Sequence, residues 1–320
     1  MIEAGKSILT INAGSSSVKF ALFSSGVPPE RILHGAIERI GSTPRFHAGD
    51  TEQNWSGTVG FHDLIARLFD WLETAIACPL EAVGHRIVHG GDDFIAPVRL
   101  DDTVLGRLAA LTPLAPLHQL HNLEPVRMIA RHRPGLSQFG CFDTAFHHTV
   151  PVLHRTLPIP GKLGLRRYGF HGLSYEFIAR RLLGTGAAGS RIVVAHLGNG
   201  ASACALRNGV SIDTTMGATA LDGMMMGTRS GAVDPGALLY LMTERGYDAK
   251  SLASLLYDDS GLKGVSGISG DMRSLHESSA SGARLAIDLF VLRAAQEIAR
   301  MAVSLGGIDS LVFTGGIGEN

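Results

Sequence analysis

The sequence predicts an α/β protein of two related lobes, each with a mixed β-sheet and flanking helices. Three observations support this prediction. The chain has 320 residues, which suits two domains better than one. Short apolar runs typical of buried strands are mixed with segments of helical apolar spacing. A strand–turn–strand pattern rich in glycine and small hydroxyl residues occurs at 8–23 and again at 192–207, which indicates a weak internal repeat.

The first half opens with a predicted strand at 8–12, a polar turn at 13–17 and a second strand at 18–23. Apolar residues between Phe61 and Leu72 recur at helical spacing, which predicts an amphipathic helix. The remaining predicted elements are strands at 32–37, 82–88 and 137–142 and helices at about 102–111 and 122–132.

The second half repeats this organisation. Its central feature is a predicted meander in which Asn208-Gly209 is a typical two-residue hairpin turn. We expect the lobes to cover residues 1–150 and 151–320, because proline and glycine break the pattern near 151–161. The predicted elements are helices at 174–183 and 284–305, strands at 192–196, 201–207 and 210–213, and a last buried strand at 311–314.

Composition excludes several classes of protein. Apolar residues make up 45% and charged residues 18%, which is a globular composition. The net charge of −1 and the absence of a long basic run argue against nucleic acid or a membrane surface as the main partner. The first apolar run, 8–11, is too short for a signal peptide or a membrane span. Three isolated cysteines without a CxxC pair favour a reduced, cytoplasmic setting.

Three glycine-rich turns, at 12–17, 196–202 and 315–318, each interrupt an apolar strand pattern. Such a turn can direct several backbone N–H groups at one anion. Each alone is more often an ordinary tight turn, but three in one chain indicate phosphate binding. Neither GxxxxGK[ST] nor GxGxxG is present, so P-loop and Rossmann modes of nucleotide binding are disfavoured.

Nine short stretches in order resemble the acetate kinase family, within the superfamily of actin, sugar kinases and heat-shock ATPase chaperones. They cover the whole chain: INAGSSSVK (11–19), GHRIVHGG (84–91), APLH (115–118), FDTAFH (142–147), RYGFHG (167–172), HLGNG (196–200), MGTR (226–229), SGDMR (269–273) and GGIGEN (315–320). The resemblance implies a duplicated ribonuclease H-like fold that binds the nucleotide in the cleft between its lobes. It also implies reversible transfer of phosphate from ATP to acetate, giving ADP and acetyl phosphate.

The resemblance implies four catalytic residues: Arg86, Asp143, His171 and Arg229. Guanidinium groups stabilise the charge of a transferring phosphoryl group and also fork onto carboxylates. The family describes Asp143 as an acid or base, but acetate is already ionised at neutral pH and has no proton to remove. We therefore expect Asp143 to hold Mg²⁺ or its water ligands and to orient an arginine. Ordinary structural roles, namely surface arginines and a core histidine, are the alternatives from sequence alone.

The resemblance also implies the binding residues. Asn12 is expected near the metal, which is Mg²⁺ or alternatively Mn²⁺. Arg86, Val88, Leu117 and Ala220 are expected to bind acetate, with the last three around its methyl group. Alanine at 218 and 220, where relatives carry Phe and Pro, predicts a looser pocket that tolerates propionate. The implied nucleotide-binding residues are Lys19, His196, Leu197, Gly198, Asn199, Gly200, Asp271, Met272, Arg273, Gly315, Gly316, Ile317, Gly318 and Glu319.

The end of the chain sets the remaining expectations. The sequence stops one turn after the last predicted strand, so we expect the second lobe to be incomplete and a family metal-binding Glu to be missing. Alternative functions are a propionate or butyrate kinase, or a nucleotide-binding chain without activity; a sugar kinase is disfavoured because it needs a base for a neutral hydroxyl. Histidine pairs such as His85 and His89 lack the context of a zinc site. The family implies a homodimer.

Overall fold

The computed structural model describes residues 6–55, 60–76, 78–116, 118–184 and 189–320. The chain divides into two compact units, Met1–Ala145 and Phe146–Asn320. The division lies a few residues before the boundary expected between residues 150 and 151. Along the described residues, none of the helices combines the length and the apolar character needed to cross a bilayer.

The first unit is built on one mixed sheet. Its strands are β1 (Ser7–Ala13), β2 (Ser17–Ser24), β3 (Arg31–Glu38), β4 (Arg45–Ala48), β5 (Thr51–Asn54), β6 (Leu80–Ile87), β7 (Val98–Arg99) and β8 (Ser137–Phe142). They lie in the order β5-β4-β3-β2-β1-β6-β8-β7. Strands β1, β2 and β3 form an antiparallel meander, whereas β6 runs parallel to β1 and β8 runs parallel to β6. The carboxyl ends of β1, β6 and β8 therefore meet at one edge of the sheet.

Three helices accompany this sheet: α1 (Phe61–Ala75), α2 (Asp102–Ala109) and α3 (Gln119–His132). The apolar stripe predicted for α1 is present, because Leu64, Leu68 and Leu72 are all buried. They pack into one core with alternate residues of β1 and β2, among them Leu9 and Leu22. Each fully buried leucine contributes about 1.5–3 kcal/mol to the free energy of folding. The packing of α1 on the sheet therefore holds in place the sheet edge at which β1, β6 and β8 end.

The second unit repeats the topology on a smaller scale. Its strands are β9 (Arg191–Leu197), β10 (Ala201–Arg207), β11 (Val210–Thr214) and β12 (Ser310–Thr314). The order β11-β10-β9-β12 matches β3-β2-β1-β6, with an antiparallel meander followed by a strand parallel to the first. The internal repeat and the predicted duplicated α/β fold are thereby confirmed.

The helices of the second unit were only partly predicted. They are α4 (Val152–Arg155), α5 (Gly172–Leu183), α6 (Pro235–Glu244), α7 (Ala249–Asp258), α8 (Gly261–Ser266), α9 (Met272–His276), α10 (Ser281–Leu305) and α11 (Gly315–Gly318). Helices α6 and α7 bury no residue and were not predicted, although α7 carries Leu252, Leu255 and Leu256 at helical spacing. Their starts are also marked by aspartate caps at Asp234 and Asp248.

The expectation that the last strand is buried is wrong for this structure. Leu311 and Phe313 of β12 are 40% and 49% exposed. In the described part of the chain β12 lies at the edge of its sheet, paired with β9. After this strand a single helical turn, α11, begins at Gly315.

Candidate active site

A charged cluster lies at the edge where β1, β6 and β8 end in the first unit. Asn12 is the penultimate residue of β1, Arg86 is the penultimate residue of β6, and Asp143 directly follows β8. The carboxyl ends of parallel strands are the usual address of catalytic groups in α/β proteins. The structure thus brings together three of the predicted site residues through strand topology alone.

Arg86 forms a two-pronged ion pair with Asp143. Its Nε donates to Oδ1 at 3.0 Å and its Nη2 donates to Oδ2 at 2.5 Å. Its Nη1 donates to Oδ1 of Asn12 at 3.1 Å. The side chain of Asp143 is 2% exposed and that of Arg86 is 32% exposed. The carboxylate raises the pKa of Arg86 above its ordinary value, so the guanidinium stays charged. The guanidinium of Arg86 is therefore held in one orientation and is partly exposed, whereas its counter-ion, the carboxylate of Asp143, is buried.

Amide and hydroxyl side chains fix the loop that follows Arg86. Asn122 accepts from the backbone N–H of Val88 at 2.8 Å and donates to the carbonyl of Ala13 at 2.7 Å, which ties the ends of β6 and β1 together. Gln119 accepts from His89 N–H, and Thr144 Oγ1 accepts from Gly90 N–H. These three residues were not predicted as part of the site, because a pairing between distant polar side chains gives no periodic signal.

The other predicted residues of the first unit are placed more loosely. Lys19 is exposed on β2 and is paired in register with Asn12 across the β1–β2 hairpin. Val88 is buried in the first unit, and Ala220 is half-buried in the second. Leu117 lies outside the described residues. The apolar acetate pocket formed by Val88, Leu117 and Ala220 therefore stays a prediction.

His171 is held in the second unit by two buried hydroxyl groups. It immediately precedes α5 and has a left-handed backbone, with φ of 59°. Its Nδ1 lies 2.8 Å from Oγ of Ser202, which in turn lies 2.5 Å from the phenol oxygen of Tyr175. Burial raises the pKa of Tyr175 well above its ordinary value, so the phenol keeps its proton. Ser202 was predicted only as the last residue of the glycine-rich turn 196–202, and Tyr175 was not predicted.

Gly200 marks the point where Arg229 and His171 approach the turn between β9 and β10. A Cβ added at Gly200 would lie 2.6 Å from Nη2 of Arg229 and 3.4 Å from Nε2 of His171. Arg229 also donates from Nη1 to the carbonyl of Ala220 at 2.6 Å. A guanidinium and an imidazole thus converge on one glycine, whose missing side chain leaves space for both.

The glycine-rich motifs of the second unit meet around this turn. Gly227 N–H donates to the carbonyl of Asn199 at 3.0 Å, and a Cβ on Gly227 would lie 2.9 Å from the carbonyl oxygen of Gly270. Gly315, with φ of +84°, packs so closely that a Cβ would lie 2.6 Å from the carbonyl oxygen of Leu197. Four of the predicted motifs, 196–200, 226–229, 269–273 and 315–320, are therefore in contact.

Three of these motifs, 196–200, 269–273 and 315–320, line a cavity of about 640 Å³. Such a volume lies within the range of small-molecule sites. Its lining includes seven predicted nucleotide-binding residues together with Gly270, His276 and Asn320, which the prediction left out. The lining residues are Gly198, Asn199, Gly270, Asp271, Met272, Arg273, His276, Gly316, Ile317 and Asn320.

Two carboxylates near this cavity are committed to helix starts. Asp271 Oδ1 accepts from Ser274 N–H at 2.8 Å and from its hydroxyl at 3.0 Å. These bonds lower the pKa of Asp271, the backbone N–H being the larger cause. Glu319 Oε1 accepts from Gly315 N–H at 3.2 Å. Both are thus capping groups in this structure, whereas the nucleotide contact predicted for them stays a prediction.

No cluster of three or more His, Cys, Asp or Glu side chains suited to a metal occurs among the described residues. The oxygen donors in the charged cluster are the amide of Asn12 and the carboxylate of Asp143, both already engaged by Arg86. Mg²⁺ prefers oxygen ligands and keeps several waters beside substrate phosphates. The two oxygens do not form a closed protein cage, so the Mg²⁺ that the family resemblance implies stays a prediction.

Comparison with known proteins agrees with this architecture. The Acetokinase family model matches residues 7–320. Acetate kinase of Rhodopseudomonas palustris (strain TIE-1) is 49% identical over 98% of this chain and 83% of its own length. Acetate kinase of Rhizobium meliloti is 45% identical over 98% and 83%.

Solved structures give the same result. A propionate kinase from Francisella tularensis superposes with a TM-score of 0.92 at 36% identity, covering 98% of this chain and 85% of its own. An acetate kinase from Porphyromonas gingivalis superposes with a TM-score of 0.86 at 35% identity, covering 99% and 84%. With a family match over nearly its whole length and relatives close to half identical, this chain belongs to the acetokinase family.

Proposed function

We propose that this chain catalyses reversible phosphoryl transfer between ATP and acetate, giving ADP and acetyl phosphate. The observation that carries the proposal is the cavity built by the motifs 196–200, 269–273 and 315–320 in a chain that is 49% identical to an acetate kinase. Backbone N–H groups of glycine-rich loops are suited to phosphate oxygens. The nucleotide phosphates are therefore the expected occupants of this cavity.

The charged cluster of the first unit is suited to the carboxylate substrate. In the forward direction an acetate oxygen attacks the γ-phosphorus, the bond to the bridging β–γ oxygen breaks, and ADP leaves. Arg86 supplies the positive charge that binds and orients the carboxylate, and Asp143 holds the guanidinium in place. Asp143 need not act as a base, because ionised acetate carries no proton to remove.

The second unit supplies donors for the phosphoryl group. We assign His171 and Arg229 to the charge that spreads over its equatorial oxygens during transfer. Both approach the turn at Gly200, the former with Nε2 and the latter with Nη2. Donors fixed before the reaction stabilise such charge without reorganising, which is how most of the rate gain of an electrostatic site arises.

Mg²⁺ is the proposed cofactor. Asn12 and Asp143 would hold it through water, and it would neutralise charge on the nucleotide phosphates when bound. We expect Lys19, exposed at the β1–β2 hairpin, to add a further positive charge for those phosphates.

Substrate preference is the finer part of the proposal. Alanine at positions 218 and 220 leaves room beside the acetate methyl group, so propionate should also be accepted. One methylene changes selectivity by about 1–3 kcal/mol, and acetate should remain a substrate. A propionate kinase is among the structural neighbours. By the same family resemblance, we propose a cytoplasmic homodimer.

Trapping with hydroxylamine tests the activity. The chain with ATP, Mg²⁺ and acetate should yield acetohydroxamate, because hydroxylamine reacts with acetyl phosphate and not with acetate. Reactions without acetate, and with propionate in its place, give the background and the chain-length preference. The proposal fails if no hydroxamate forms above the background while the folded chain still binds ATP.

The variant Asp143→Asn tests the metal role of Asp143. Normal activity and normal Mg²⁺ dependence in this variant would show that Asp143 does not hold the metal.

A further inference from the structure

The ring of His171 sits on a backbone that local sequence preference does not favour. A non-glycine residue in the left-handed region costs about 1–2 kcal/mol, and its φ of 59° lies in that region. Such a conformation persists where surrounding contacts determine it. Nε2 of His147 lies 3.0 Å from the carbonyl oxygen of Phe170, the residue before His171.

Two hydroxyl groups determine the ring orientation. Ser202 Oγ lies 2.8 Å from Nδ1 of His171 and 2.5 Å from the phenol oxygen of Tyr175. Ser202 and Tyr175 are both 0% exposed. Buried hydroxyl groups are almost always hydrogen-bonded. Each of the two hydroxyl protons therefore needs an acceptor, which limits which group donates to which among Tyr175, Ser202 and His171.

The direction of these hydrogen bonds follows from the chemistry of the groups. Either oxygen of the Tyr175–Ser202 pair can be the donor by distance alone, but a phenol is a stronger donor than an aliphatic hydroxyl. We therefore assign Tyr175 as the donor to Ser202, which directs the single proton of Ser202 to Nδ1 of His171. The imidazole accepts at Nδ1 and carries its own proton at Nε2.

We propose that Ser202 and Tyr175 are positioning residues that hold His171 as the Nε2–H tautomer and aim that N–H at the transferring phosphoryl group. The inference rests on the proposed function for its catalytic meaning, but the tautomer itself is a property of the folded chain. Nε2 approaches within 3.4 Å of the point where a Cβ on Gly200 would stand, and Nη2 of Arg229 lies 2.6 Å from the same point. Both donors thus reach the same side of one backbone segment.

Three variants separate positioning from stability: Ser202→Ala, Tyr175→Phe and the double variant. Ser202→Ala takes the Ser202 hydroxyl from both Tyr175 and Nδ1 of His171, Tyr175→Phe leaves the bond between Ser202 and His171 in place, and the double change removes the buried phenol as well. We expect the urea midpoint to fall in Ser202→Ala and to recover in part in the double variant. We expect kcat to fall about tenfold to a hundredfold in Ser202→Ala and to stay low in the double variant, with KM values nearly unchanged. If kcat recovered in the double variant together with the urea midpoint, Ser202 and Tyr175 would have only a structural role.

The tautomer can be read directly. Nitrogen-15 imidazole spectra of the ¹⁵N-labelled chain, with the His171 signals assigned by their loss in His171→Gln, distinguish a protonated Nε2 from a protonated Nδ1. We expect a single Nε2–H form in the unchanged chain and a mixture of tautomers in Ser202→Ala. A dominant Nδ1–H form in the unchanged chain, or spectra that do not change with Ser202→Ala, would overturn the inference. These spectra need no turnover, so failure of the proposed activity would be seen separately.

Tyr240→Phe is the matched control for Tyr175→Phe. Tyr240 lies on α6 in the same unit, is 50% exposed, and its hydroxyl accepts from Nε of Arg245. Removal of this hydroxyl should leave kcat and the His171 spectrum unchanged. An equal loss of kcat in both Tyr→Phe variants would also contradict the proposal.

Discussion

The two units share one strand topology but build their functional ends from different kinds of residue. At the ends of β1, β6 and β8 the first unit places a buried carboxylate, a guanidinium and an amide. At the turn between β9 and β10 the second unit places glycines, with neutral hydroxyl groups beside them. The repeat therefore fixes where a site forms, and the residues at the strand ends decide its chemistry.

This difference has a physical consequence. In the first unit an arginine is oriented by charge, and loss of either partner leaves the other uncompensated. In the second unit the guanidinium of Arg229 lies close to the backbone of Gly200. A side chain added at Gly200 should therefore displace it and do the most damage. Charge-removing substitutions should therefore test the first unit, and volume-adding substitutions should test the second.

The largest expected effect is that of Arg86→Gln. We expect kcat/KM to fall about a thousandfold, because the carboxylate substrate loses the charge that binds and orients it. The free energy of unfolding should fall by about 3 kcal/mol, because Asp143 remains buried without its cation. Hydroxamate formation measures the first effect and urea unfolding the second.

The double variant Arg86→Gln/Asp143→Asn is the control for this prediction. Two neutral amides should restore most of the stability without restoring activity, because the buried charge is gone but the guanidinium is still missing. A double variant as unstable as Arg86→Gln would mean that packing, and not charge, dominates at this strand edge.

Acid should affect the first unit through His85, which lies on β6 directly before Arg86. Its Nε2 bonds Oε1 of Gln138 at 2.9 Å, and burial lowers the pKa of His85 from 6.5 to about 4. Between these two pH values the unfolded chain binds a proton that the folded chain excludes. Stability contributed by the neutral ring is complete above pH 6.5 and is lost as pH falls toward 4, by about 3 kcal/mol.

Urea unfolding of the unchanged chain and of His85→Gln at several pH values from 7 to 4 checks this effect. The variant should be less stable at neutral pH but should lose less stability on acidification. Parallel stability profiles for the two chains would show that the acid sensitivity arises elsewhere.

The sequence predicted the first unit's cluster better than the surroundings of His171. Asp143 could be placed because it directly follows the predicted strand at 137–142, and the ends of strands are a usual address of catalytic carboxylates in α/β proteins. Ser202 and Tyr175 are ordinary strand and helix residues in sequence, and only the fold brings their hydroxyl groups together. Asn122 and Gln119 were missed for the same reason. Helices α6 and α7 were missed although α7 has leucines at helical spacing and both helices begin at aspartate caps.

Gly200→Ala and Gly14→Ala compare the related turns of the two units directly. A Cβ on Gly200 would overlap Nη2 of Arg229 at 2.6 Å, whereas one on Gly14 would meet only the carbonyl oxygen of Ser17 at 3.7 Å. Displacing a catalytic group by about 1 Å can cost a factor of about a hundred. We therefore expect kcat/KM to fall about a hundredfold for Gly200→Ala and only a few-fold for Gly14→Ala. Equal losses would show that the two turns contact the nucleotide alike and that Arg229 is not displaced.

The smallest expected effect concerns the cap of α9, where the second unit does use a carboxylate. Oδ1 of Asp271 accepts hydrogen bonds from the backbone N–H and the hydroxyl of Ser274. The side-chain oxygen of asparagine can accept the same bonds without carrying a charge. Asp271→Asn should keep stability and the KM for ATP close to their original values, whereas Asp271→Ala should lose about 1 kcal/mol of stability and raise that KM. Steady-state kinetics of both variants measure the KM for ATP, and urea unfolding measures their stability. If asparagine raised the KM for ATP as much as alanine does, the negative charge of Asp271 would itself contribute to nucleotide binding. The second unit would then also use a carboxylate at its site, and the difference between the units would be limited to how each one positions its arginine.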